Sequence, residues 1–443
     1  LYEYLKTDYP EIYEQLKMRI NEGMWEAEGA MWLEADCNIP NGESLVRQIL
    51  YGSKFLKDEF GITCRYLWLP DVFGYSWALP QILKKSGITT FMTTKISWNQ
   101  YNRMPHDTFR WRGIDGSEIL THFVTTPEPW NSDDSWFYTY NGLITAKTVN
   151  GAWKSYRDKD INQDLLLSYG YGDGGGGVNR EMLEFRRRYD KMPGLPHVKP
   201  SKAGDYFARL HENIQAAEGY VHDWDGELYL EYHRGTYTSQ AYNKKMNRKL
   251  ELAYRETEWL QVLHALQSEW SHYPKKELDQ GWKIILRNQF HDIIPGSSIK
   301  EVYEDSKLEY DEAWKKHKKF TDHAAAQLTS SNTGKHYTAW NSSHWQCEEL
   351  VFIPFDDDNQ KEGNWHDDKG SELTAQQTNE GWLVKLAKTP SFGGIALEFR
   401  ASSLKEKKIV KASFQMNQNS LTTPFYEIAW NHAGQLTRIY DVS

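Results

Sequence analysis

In "LWLPDVFGYSWALPQIL" (67–83) a lone carboxylate, Asp71, follows Trp68, Leu69 and Pro70 and precedes Val72, Phe73, Tyr75 and Trp77. Charged side chains are almost never left in such company without a partner, so one is expected for Asp71. A second acid, Asp173, stands in "GYGDGGGG" (170–177), where glycines let backbone approach a ligand closely. Gly170, Gly172 and Gly175 match a dinucleotide fingerprint in form, and Asp190 follows at the right interval. Asp190, however, lies in the Arg-rich run "NREMLEFRRRYD" rather than at the end of a next strand, and no GK[ST] follows, which excludes a P-loop.

Three further stretches could join them. "RNQFHDIIPGSS" (287–298) ends a helix with His291 and Asp292, and such a histidine either meets the terminal carbonyls or ligates a metal. "GELYLEYHRGTYTSQ" (226–240) carries Glu227, Glu231, His233, Arg234, Thr236 and Tyr237, which is either a cleft wall or an ordinary polar strand. "EGAMWLEADCNIPNGESLVRQ" (28–48) places Trp32, Glu34 and Asp36 before a Pro-Asn-Gly turn, as a cleft-lining loop or a plain connection.

The elements that must position these groups read in three blocks. Residues 1–225 alternate amphipathic stretches with short apolar ones, "CRYLWLP" (64–70), "ITTFMTTK" (88–95), "EILTHFVTT" (118–126) and "DLLLSYGYG" (164–172). That alternation predicts βαβ units and a mainly parallel sheet, with sites at the carboxyl ends of the strands. Asp71 and Asp173 each fall just past such an end. Residues 226–328 hold a linking strand and then three stretches of 3.6 periodicity, which predict a three-helix bundle. Residues 329–443 turn to "CEELVFIPF", "GWLVKLAK", "GGIALEFRAS" and "PFYEIAWNHAGQLTRIYDVS", read as the first part of a β-sandwich domain. The fold class predicted is therefore multidomain.

Composition narrows the class. The 443 residues include 39% hydrophobic ones and carry a net charge of -9, which supports real cores and argues against a nucleic-acid footprint. No run reaches the length of a membrane span. Three widely spaced cysteines are too few for a disulfide scaffold, which favours a reducing, cytoplasmic setting. The 19 Trp and 27 Tyr supply packing area, and in a cleft they offer platforms for sugar faces. The chain opens on Leu1 and runs straight into a helical stretch, from which a preceding segment is expected.

Taken in order, "WLPDVFGYS", "GDGGGG", "ELYLEYHRGTYTSQ" and "NQFHDIIPGSS" resemble the retaining α-mannosidases of glycoside hydrolase family 38, in their long cytosolic-type branch. "GESLVRQILYG" and "SWNQYNRMPHDTFRWRGIDGSEILTHF" carry the likeness across the chain. The resemblance implies a seven-stranded, barrel-like catalytic domain and zinc-dependent release of mannose from α-mannosides or oligomannose glycans. It makes Asp71 both nucleophile and zinc ligand and His291 a second zinc ligand. Two more ligands are expected from an upstream His-x-Asp motif, which this sequence lacks. Asp173 is expected to be the acid/base, with Glu231 and Asp292 as alternates. Trp32, Asp36, Trp68, Tyr75, His233 and Tyr237 are expected to line the substrate cleft. Neither nucleic acid nor membrane is expected as a partner, and the oligomeric state, a homo-oligomer included, is left open. The competing readings are a nucleotide-binding oxidoreductase built on Gly170, Gly172 and Gly175, and a catalytically silent carbohydrate-binding scaffold.

Overall fold

The computed structural model describes residues 1–128, 137–173, 175–329, 335–355, 362–386, 388–401 and 413–442. They fall into two compact units, Leu1–Leu328 and Thr329–Ser443.

The first unit opens with helices α1 (Tyr2–Asp8), α2 (Pro10–Asn21) and α3 (Gly42–Phe60). The sequence sets both ends of α3. The Asn41 side chain accepts from Ser44 N at 2.8 Å, and Gly61 leaves the helix in the left-handed region. Strand β1 (Tyr66–Trp68), helix α4 (Leu79–Lys85), and strands β2 (Thr90–Thr93), β3 (Thr108–Arg112) and β4 (Glu118–Phe123) follow. After helices α5 (Ala146–Ser155), α6 (Arg180–Tyr189) and α7 (Ala203–Ala216) comes β5 (Asp223–Asp225).

These strands make one sheet in the order β1-β2-β4-β3-β5. The pairs β1–β2, β2–β4 and β3–β5 are parallel, while β3–β4 is an antiparallel hairpin. The sheet therefore has five strands among the described residues, where seven in a barrel were expected, and no pairing there joins its edges β1 and β5. The stretch 164–172 also departs from expectation. It makes only isolated bridges, Tyr169 to Gly142 and Tyr171 to Gly177. Its leucines pack instead against helices, Leu166 beside Tyr206 and Phe207, and Leu167 beside Val149 and Met182. A short apolar run reads alike whether its backbone pairs or not.

Helices α8 (Ala241–Gln267), α9 (Lys275–Arg287) and α10 (Lys300–Leu328) complete the unit. They share a core of Leu250, Tyr254, Leu278, Trp282, Ile285, Tyr310 and Ala313. The larger core lies under the sheet, around Leu67, Val72, Tyr75, Phe91 and Trp111.

The second unit is antiparallel wherever strands are described. It contains β6 (His336–Asn341), β7 (Leu350–Pro354), β8 (Gly363–Asp367), β9 (Glu372–Leu373), β10 (Ala375–Gln377), β11 (Gly381–Lys385) and β12 (Gly393–Ala401). The sheets β6-β12-β8-β9 and β10-β11-β7 share one core, in which Trp365 and Phe399 meet Trp382 and Val384. A separate meander follows, of β13 (Gln415–Asn417), β14 (Ser420–Thr422), β15 (Tyr426–Trp430) and β16 (Leu436–Asp441).

Candidate active site

Because β1 and β2 run parallel as neighbours, the residues just past their carboxyl ends lie side by side. Pro70 O accepts from Thr94 N at 3.2 Å and from Lys95 N at 2.9 Å, which welds the two ends together. Lys95 Nζ then sits 2.7 Å from Asp71 Oδ1. Lys95 is only 8% exposed, with its ammonium 4.7 Å from the Trp98 ring centre and 5.5 Å from that of Phe73. A lysine so enclosed persists where a carboxylate and aromatic faces replace its water. Gly74 lets this loop turn. Its φ is +116°, and a Cβ there would come within 2.8 Å of the Asn38 side chain.

His291 arrives from the turn after α9. The chain at 34–36 lies along the chain at 289–291, with His291 N donating to Glu34 O (3.1 Å) and Asp36 N donating to Gln289 O (2.9 Å). His291 Nδ1 also faces Glu34 O at 3.1 Å. A carbonyl can only accept, so Nδ1 is the donor there and Nε2 is the nitrogen left to meet another partner. Nε2 looks towards Asp71 Oδ2 at 4.0 Å and Asp292 Oδ2 at 3.7 Å. Asp71 and His291 thus face each other as two ligands of one divalent ion would. The set is not closed, since no three His, Cys, Asp or Glu side chains converge as a metal site among the described residues.

Acids crowd this point. Burial, then the charges of Asp71, Asp173 and Asp292, push Glu34 up to about 7. Asp173 is exposed, with φ at +53°, and accepts a hydrogen bond from the Tyr140 hydroxyl. Reciprocal backbone bonds between Tyr171 and Gly177 close the glycine loop that presents it. Asp173 thus sits within a bridged loop, where a strand end was expected. The same fact removes the premise of the dinucleotide reading, which requires the glycines to follow a strand; Gly174 lies outside the described residues.

A cleft of about 380 Å³ opens over Asp71, Phe73, Lys95, His233, Thr236 and Asp292. His233 packs its ring against Phe73 at 4.7 Å between centres. Tyr237 is not among the residues lining this cleft; it is 44% exposed, and its hydroxyl accepts from Asn38 Nδ2. The other expected cleft residues go elsewhere. Tyr75 is fully buried, with its hydroxyl donating to Leu69 O. Trp32 packs edge-on against Tyr51 and Phe55 under Lys283. Trp68 lies against Tyr66 and Phe207. Asp36 is buried and accepts from Asn38 N and Ile39 N, so it shapes its own turn. Glu231, the alternate acid, accepts from Tyr101 N and Asn102 N, bonds that hold it below the usual carboxylate range. Sequence reasoning missed Lys95 and did not select Glu34. The only signal for Lys95 was a lysine directly after an apolar strand in "FMTTK".

Residues 1–227 match the family description "Glycosyl hydrolases family 38 N-terminal domain", and residues 231–328 match "Alpha mannosidase middle domain". The chain belongs to glycosyl hydrolase family 38. Among family relatives, "Alpha-mannosidase G" of Dictyostelium discoideum is 40% identical over 69% of this chain and 26% of its own length. "Alpha-mannosidase 2C1" of Mus musculus is 38% identical over 80% of this chain and 32% of its own length. The chain therefore spans about a third or less of the curated relatives it matches. An alpha-mannosidase of Enterococcus faecalis V583 shares the fold, with TM-score 0.71 and 19% identity, over 99% of this chain and 54% of that one. Cys37, Cys64 and Cys347 are free thiols, and no described helix is long and apolar enough to cross a membrane.

Proposed function

We propose that this family 38 chain carries the catalytic site of a retaining exo-α-mannosidase, acting on α-mannosides or oligomannose glycans in the cytoplasm. The observation that carries the reading is Asp71 at the end of β1, one oxygen on Lys95 and the other turned to His291 at the mouth of the cleft.

In this mechanism an Asp71 oxygen attacks the anomeric carbon as the bond to the leaving oxygen breaks, giving a mannosyl ester. Asp173 gives its proton to the leaving oxygen, and the aglycone departs as an alcohol. Asp173 then takes a proton from water, which attacks the same carbon and frees Asp71. Two inversions leave the α configuration intact. Tyr140 aims Asp173, and Lys95 keeps Asp71 from rotating. His233 bounds the sugar.

Asp71 and His291 would hold one zinc ion, with its remaining ligands supplied from outside the described residues by an upstream His-x-Asp motif. When bound, such an ion polarises substrate hydroxyls and steadies charge at the reacting centre.

The test is a fluorinated mannosyl fluoride given to the intact protein, followed by peptide mapping. A label on Asp71, with α-mannose as the first product by NMR, is expected. A label on another acid, or β-mannose first, overturns the assignment.

A further inference from the structure

The first unit has a second cleft that shares no lining residue with the first. It also measures about 380 Å³ and lies among α5, the stretch 163–169, α6, the loop 196–201 and α7. This falls within the roughly 300–1,000 Å³ typical of ligand pockets. Its floor is apolar, with Ile144, Val149 and Ala152 buried and Leu166 and Leu167 partly buried. Those leucines belong to the run that reads as a buried strand yet stays half-exposed along this cleft. Each packs one face against the helices, and the apolar surface that stays exposed costs free energy unless something lies on it.

The rim has the opposite character. In a chain of net charge -9, Arg186, His197, Lys199 and Arg209 line it, against the single acid Asp164. Asp164 is already taken by Arg209, Oδ2 to Nε at 2.7 Å. Arg186 and Lys199 have no acidic partner among the described residues. Pro196 and Pro200 bracket the loop carrying His197 and Lys199, which limits its freedom before any ligand arrives.

We propose that this cleft binds a small organic anion with an apolar body, of the medium-chain carboxylate type. The chain lies on Leu166, Leu167 and Val149, and the carboxylate meets Arg186 and Lys199. A bare inorganic anion cannot use the floor, and a neutral amphiphile cannot use the rim. The assignment is independent of the mannosidase reading.

The test is calorimetric titration of the intact protein with sodium octanoate, octyl glucoside and inorganic phosphate in parallel. Octanoate should bind at least tenfold more tightly than either comparator. The double variant Arg186→Gln/Lys199→Gln, at partly buried and exposed positions, should lose that preference while keeping its far-ultraviolet spectrum and Tm. Absence of octanoate binding overturns the proposal. So does equal binding of octyl glucoside or phosphate, or octanoate affinity unchanged in the double variant.

Discussion

Lys95 Nζ lies 2.7 Å from Asp71 Oδ1, at the joined ends of two parallel strands and under the rings of Trp98 and Phe73. The contact fixes one carboxylate oxygen and leaves the other facing His291. Lys95→Met should therefore lower kcat on an aryl α-mannoside by about 100-fold, the scale of losing one preorganised charge-stabilising donor. KM should change little, and Lys95→Arg should recover most of the loss. Turnover in Lys95→Met equal to wild type would show that Asp71 is held by something else.

Asp173 and Tyr140 make a separate prediction. Asp173→Ala should slow substrates with poor leaving groups by about 100-fold or more and spare activated aryl mannosides, since only the former need the proton. Tyr140→Phe, which removes the hydrogen bond to Asp173, should give a weaker version of the same split. Equal losses on both substrates would move the acid role to Asp292 or Glu34.

For the metal, prolonged dialysis of the intact protein against a chelator should abolish turnover, and added zinc should restore it. His291→Ala should retain less zinc by mass spectrometry, because it removes one of the two proposed ligands, Asp71 and His291. Full zinc content in His291→Ala would exclude it as a ligand.

A pH prediction comes from the start of β3, beside the carboxyl end of β4. Asp107 is 2% exposed and accepts from Arg157 N at 3.0 Å, with Asp158 beside it. Burial, then the Asp158 charge, push Asp107 up to about 8. The folded state therefore binds a proton that the unfolded chain has released above roughly pH 4. That stabilisation is complete below pH ~4 and is lost as pH rises towards about 8. Asp107→Asn should flatten the fall of Tm between pH 5 and 8, with its advantage over wild type largest at pH 8. Parallel Tm curves for the two proteins would contradict this.

Gly281 tests packing in the helical layer. Gly→Ala inside a helix ordinarily gains about 1 kcal/mol. Here a Cβ would lie 1.9 Å from the hydroxyl of Tyr254, which is fully buried and donates to Ala313 O. Overpacking costs about 1–3 kcal/mol, so the clash should win and Gly281→Ala should lower Tm by several degrees. A raised Tm would mean that Tyr254 can move aside.

Much of this protein is written locally. The acid stranded in "WLPDVFGYS", the helix start at Asn41 and stop at Gly61, and the long periodic stretches from 241 onward depend on near neighbours, and the structure follows them. The family motifs are legible for the same reason. Tertiary structure alone decided the partners. Nothing in "FMTTK" says that its lysine will meet Asp71, since the meeting depends on β1 and β2 pairing in parallel register. Nothing in "MWLEAD" says that Trp32 will turn to helix α3 while Glu34 turns to the acids, because each follows from how 34–36 lies along 289–291. Tyr75, Trp68 and Trp32 are expected along the cleft, yet their rings pack among neighbouring side chains, since an aromatic ring suits a core and a cleft equally. The run at 164–172 looked like a strand because apolar residues in a row record burial and not which backbone pairs with which. Residue type fixes what a side chain can do, whereas its position against distant chain fixes whether it does it.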